Sequence, residues 1–85
     1  DVADKMGTIM QEMGNYMQIF SITHLPQVAS KGNQHFKVTK FDDDKVTTST
    51  IKLLNTEERI YEIAQMLSGN TITDAALQHA KQLLN

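Results

Sequence analysis

Phe36-Lys37-Val38-Thr39-Lys40-Phe41-Asp42-Asp43-Asp44-Lys45-Val46-Thr47-Thr48-Ser49-Thr50-Ile51-Lys52-Leu53 is the stretch that decides the fold. From His35 to Phe41 apolar and polar residues alternate. Phe36 and Val38 point one way, Lys37 and Thr39 the other. Val46 to Leu53 is rich in β-branched residues, which suit a pleated strand. The polar run Asp42-Asp43-Asp44-Lys45 separates them, so an antiparallel hairpin with a four-residue loop is expected. The acidic run also raises calcium. An EF-hand loop needs Gly at its sixth place and Glu at its twelfth. Those places hold Thr47 and Leu53, so a solvated turn is the better reading.

Downstream, Asn55-Thr56-Glu57-Glu58 opens a helix. Asn55 can cap it, and Glu58, three residues on, can reach back to the cap. Ile60, Ile63, Ala64 and Leu67 form its inward stripe, and Gly69 stops it. Thr73-Asp74 starts a last helix with Leu77, Ala80 and Leu84 inward. Leu67-Ser68-Gly69-Asn70 looks like the start of an ABC-type signature. In that motif the Ser and Gly precede a helix, where backbone N–H groups can face a phosphate. Here they end one.

Upstream, Ala3, Met6, Met10, Met13 and Met17 recur every three or four residues, with Ile9 beside them. That is the stripe of an amphipathic helix, expected to pack into the core and to stop at Gly14-Asn15. An adaptable docking face is the alternative use of such methionines. Gln18-Ile19-Phe20-Ser21-Ile22-Thr23 then reads as a strand buried on both faces, of the kind found in parallel sheets. Pro26 suits the first turn of a short helix that reaches Ser30, with Gly32 ending it. The order is α-β-α-β-β-α-α. The class is α/β for the segment within a larger sheet, and α+β for these residues alone.

The 85 residues form one domain or part of one, with no linker, repeat or low-complexity stretch. The first residue is not Met and lies at the start of a helix, which suggests a piece of a larger chain. The hydrophobic content of 40% supports a small core. With five aromatics and no Trp, aliphatic side chains must fill it. A net charge of −2 with a single arginine, Arg59, argues against direct nucleic-acid binding by this piece. The absence of Cys excludes disulfides and thiolate metal sites. No apolar run approaches a membrane span, and no signal peptide is visible. A cytoplasmic location is expected.

His24, His35 and His79 lack metal-ligand spacing. His79 sits on the last helix and His35 opens a strand, so both are expected at the surface. Ser21 lies within a strand rather than at a strained nucleophile turn. His24 stands where the first strand stops. In open α/β sheets, ligands bind outside the carboxyl ends of strands. That place makes His24 the candidate site residue, although a local capping role would suit it as well.

The run Ile22-Thr23-His24-Leu25-Pro26-Gln27-Val28-Ala29, with Lys31-Gly32 and His35-Phe36, resembles the C-terminal part of the RecN family of bacterial DNA repair proteins. Glu58-Arg59, Glu62-Ile63-Ala64-Gln65-Met66-Leu67, Ile72-Thr73-Asp74-Ala75-Ala76-Leu77 and Ala80-Lys81-Gln82-Leu83-Leu84 extend the resemblance over nearly the whole chain. The family belongs to the SMC-like branch of the ABC ATPases. The resemblance implies a segment of an ATPase head acting in double-strand-break repair and recombination. It makes His24 the switch, or H-loop, histidine that senses the γ-phosphate of ATP. ATP and Mg²⁺ would be used by the full-length parent, in a head paired with a second head of a homodimer. DNA would be met through the parent, and a nucleoid-associated cytoplasmic location would follow. No P-loop, true signature or Walker B strand is present, so these residues alone are not expected to hydrolyse ATP. A non-catalytic α+β interaction module, docking through its Met-rich first helix, is the alternative.

Overall fold

The structure, a computed structural model, describes residues 1–85. It contains α1 (Val2–Met13), α2 (Pro26–Ala29), β1 (Phe36–Asp43), β2 (Val46–Leu53), α3 (Thr56–Ser68) and α4 (Asp74–Leu84). The class is α+β: one two-stranded antiparallel sheet with helices before and after it.

The hairpin forms with Phe36 opposite Leu53 and Asp43 opposite Val46. Its loop is therefore Asp44-Lys45, two residues shorter than the expected four. The sequence made Asp42 and Asp43 look like turn residues. In the structure Asp42 accepts a hydrogen bond from the Thr47 hydroxyl at 3.0 Å, across the ladder. Asp43 accepts from the Asp44 N–H at 2.9 Å. These local bonds let two acidic residues extend the strand. Neither loop residue has a positive φ, so the turn is not one of the primed types that best match strand twist.

The sheet's two faces differ. Lys37 and Lys52 are paired neighbours on one face and form ion pairs with Glu62 and Glu58 of α3. The other face presents Phe36, Val38, Ile51 and Leu53, all exposed.

Helix α3 starts as the sequence indicates. The Asn55 side chain accepts from the Glu58 N–H at 2.9 Å, and the Glu58 carboxylate accepts from the Asn55 N–H at 3.1 Å. The helix ends at Gly69, whose φ of 78° is the one positive value in the chain. Gly69 is thus a stop, and Leu67-Ser68-Gly69 does not open a helix. Thr73 caps α4 by accepting from the Ala76 N–H at 3.1 Å. Ile63 and Ala64 of α3 pack on Ala76 and Ala80 of α4 to form the core. Ile60, Leu67, Leu77 and Leu84 border it, as their spacing implied.

Two expectations fail in the N-terminal third. Residues Gln18–Thr23 are not a strand. None of their backbone groups takes part in a backbone hydrogen bond, and Phe20 and Ile22 are exposed. A strand needs a partner, and β1 and β2 have paired with each other. The methionine stripe of α1 is the second correction. Met6, Ile9, Met13 and Met17 are exposed, and the one buried residue of α1 is Gly7. The helix touches the rest of the chain through α2 and finds no sheet to cover its apolar face. It also ends at Gly14 in right-handed conformation (φ −61°), not the left-handed stop expected there.

Candidate functional site

His24 lies between the extended residues and α2, with its side chain exposed. The backbone around it is fixed at short range. The Thr23 hydroxyl accepts from the Leu25 N–H at 3.0 Å, closing a turn with His24 at its centre. Pro26 follows as the first helical residue, where its missing N–H costs nothing. The chain thus leaves an extended run, turns through His24 and enters α2.

Helix α2 has only four residues, too few to hold its own shape, so its surroundings set its place. Pro26, Val28 and Ser30 are buried. Helix α1 comes close at Gly7: a Cβ there would lie 2.7 Å from the Gln27 carbonyl oxygen. Arg59 of α3 also reaches this helix. Its Nη2 donates to the carbonyl oxygens of Ala29 (3.1 Å) and Ser30 (3.4 Å), and also to that of Gly32. The carbonyls of Ala29 and Ser30 close the C-terminal end of α2 and that of Gly32 lies in the loop beyond it, and a guanidinium is well suited to hold several of them. Burial lowers the pKa of Arg59 from its ordinary value, yet a guanidinium remains charged.

His35 was expected at the surface and is half-buried instead. Its Nδ1 is buried without a hydrogen-bond partner, as is Arg59 Nε. Burial pushes the His35 pKa down. The charges of Arg59 and Lys37 push the same way, and Glu62 opposes them. Neutral imidazole is the form this place favours. A shallow cleft of about 430 Å³ lies beside it, lined by Asn33, His35, Asn55, Arg59 and Leu84 among others. His24 is not part of that cleft. His79 is exposed on α4. The structure does not bring the three histidines together, and no cluster of three or more His, Cys, Asp or Glu side chains could hold a metal ion. Asp1 caps α1, accepting from the Ala3 N–H at 2.7 Å.

The chemistry open to His24 is that of an exposed imidazole on a fixed turn. It can donate or accept one hydrogen bond outward, toward a group that the rest of the molecule does not fill. Arg59 lies within the stretch Glu58-Arg59 that resembles the family, which implies no role for it. Its one sequence signal was being the single guanidinium among lysines, on the second turn of a helix with an apolar face.

No protein-family model matches the chain. Curated relatives do. The DNA repair protein RecN of Rickettsia felis is 46% identical over 85 residues, covering 100% of this chain and 16% of the relative. RecN of Xylella fastidiosa strain 9a5c is 43% identical over 83 residues, covering 98% of the chain and 15% of the relative. RecN of Deinococcus radiodurans is 44% identical over 75 residues, covering 88% and 13%. The chain spans about one sixth of the length of these relatives, at their C-terminal end. No helix is long and apolar enough to cross a membrane.

Proposed function

From the premise that this chain is the C-terminal segment of a RecN-family DNA repair protein, we propose that it completes the ATP-hydrolysis site of an SMC-like ATPase head, with His24 as the switch histidine. The observation that carries this is the exposed His24 imidazole on a turn fixed by Thr23 and Pro26, within a chain matched end to end by RecN relatives. Phosphoryl transfer is accelerated mainly by positioning and by stabilising charge on the transferring group. A ring nitrogen of His24 donates a hydrogen bond to a γ-phosphate oxygen, where negative charge is held. The other nitrogen is fixed by a partner outside these residues, which sets the tautomer.

ATP is the substrate in this proposal, and its phosphates are cradled by a P-loop elsewhere in the full-length protein. Mg²⁺ does not fit these residues, because no acidic cluster is present to hold it. It belongs to another part of the head. A second head completes the site in a homodimer. Hydrolysis then drives head engagement during double-strand-break repair and recombination, with DNA bound by other parts of the protein. Its place is the cytoplasm, at the nucleoid. The test is His24→Ala in the full-length protein. ATP turnover is expected to fall at least about tenfold, in the range of a lost charge-stabilising contact. Turnover near wild type would refute the assignment.

The exposed methionine face of α1 supports a second function, docking without catalysis. Met6→Gln with Met13→Gln separates the two. A docking module loses its partner and nothing else, whereas the ATPase head keeps or loses turnover according to His24.

A further inference from the structure

We propose that Arg59 is the positioning residue for His24 and acts through α2. This rests on His24 being the residue that meets the γ-phosphate. The geometry is a clamp. One nitrogen of Arg59 gathers the carbonyls of Ala29, Ser30 and Gly32, which bind the C-terminal end of α2 to α3. Gly7 lets α1 approach the same turn closely, against Gln27 and Val28. The N-terminal end of α2 leads through Leu25 directly to His24, and the bond from Leu25 N–H to Thr23 Oγ1 makes that lead short and stiff.

Helix α2 is a single turn. Its buried Pro26 and Val28 give it an apolar seat, and the guanidinium ties its C-terminal end to α3. Without Arg59 the three carbonyls turn to water, the C-terminal end of α2 frays, and His24 loses its reference to α3 and the core. A displacement of about 1 Å at a reacting centre can cost roughly 100-fold in rate. Arg59 itself faces the α2 carbonyls and the His35 cleft, whose lining does not include His24. Its effect must therefore appear in turnover more than in ATP affinity.

The experiment uses the full-length protein with His24→Ala, Arg59→Ala and the double variant, read as kcat and KM for ATP. Hydrogen exchange at Leu25–Ser30 and at α4 is followed in parallel. Arg59→Ala is expected to lower kcat about tenfold, leave KM within about twofold, and cost nothing further on the His24→Ala background, as coupled residues do. Amides of Leu25–Ser30 are expected to lose protection while those of α4 keep theirs. Equal cost of Arg59→Ala in both backgrounds, or unchanged protection at α2, overturns the proposal and leaves the His24 assignment standing. Wild-type turnover in His24→Ala overturns both. If Arg59→Ala does not fold, Arg59→Lys and Gly7→Ala serve instead. The first keeps the charge but loses the planar fork, and the second displaces α2 at its contact with α1. The same non-additivity with His24→Ala is required of them.

Discussion

A methyl group at position 7 would sit 2.7 Å from the Gln27 carbonyl oxygen and 2.9 Å from Lys31 Cγ. The lysine stem can move aside; the carbonyl can move only with α2. Alanine gains about 1 kcal/mol over glycine within a helix, whereas forced overpacking costs about 1–3 kcal/mol. Gly7→Ala should therefore destabilise the chain by about 1 kcal/mol, measured by urea unfolding; a gain in stability would show that α2 yields freely. His35 makes a pH-dependent prediction at the same scale. Its folded pKa lies below the ordinary 6.5, chiefly through burial, so between the two values the unfolded chain binds more protons. Stability is full above about pH 6.5 and declines as the pH falls toward the folded value. A His35→Gln variant should flatten that decline in thermal unfolding at pH 7 and pH 5. An unchanged slope would place the proton uptake elsewhere. Both effects were hidden in the sequence, because a close approach and a desolvated ring depend on residues 20 or more positions away.

At the scale of elements, legibility followed the range of the interactions. The start of α3, its stop at Gly69 and the cap of α4 were readable, since each is made within a few residues. Asn55→Ala should cost about 1 kcal/mol, the usual worth of such a cap, and be seen as a lower thermal midpoint. An unchanged midpoint would mean that tertiary packing alone fixes the start of α3. The link between β2 and α3 has its own pH signature. The hydrogen bond from Lys52, and then that from the Asn55 backbone, hold the Glu58 carboxyl below its ordinary range. The sign follows: this contribution is present above the unfolded carboxylate pKa and is lost as the pH falls through the folded one. The apolar run Gln18–Thr23 was misjudged as a strand because its composition says only that it suits one. Whether it becomes one depends on a neighbouring strand, and it pairs with neither open edge of the β1–β2 hairpin.

The whole molecule exposes 6731 Å², whereas a compact monomer of its mass would expose about 5,100 Å². Its radius of gyration is 14.2 Å, against about 12 Å for a compact domain of this length. The excess of about 1,600 Å² is about twice what one partner contributes to a standard protein interface, about 800 Å². The exposed apolar side chains include α1 methionines, Phe20, Ile22 and the outer hairpin face. Such apolar surface is costly to leave in water. The 85 residues alone should therefore self-associate or repack. Sedimentation at high concentration reads this directly, and a monomeric mass there would count against it.

The sequence by itself determined the hairpin, the helix caps, the α3–α4 core stripe and the resemblance to the RecN family, all of which rest on short-range pattern. It also singled out His24 by its place between an apolar run and Pro26. Only the tertiary structure decided that the first apolar run stays unpaired and that the methionine stripe stays uncovered. It also showed Arg59 bonded to the carbonyls at the end of the short helix behind His24, and Gly7 close against that helix. The physical reason is the same in each case. A strand, a buried face and a clamp are relations between segments, and a sequence specifies the segments' preferences before it specifies which partners are there to meet them. His24 is thus legible as a residue, and its setting is legible only in three dimensions.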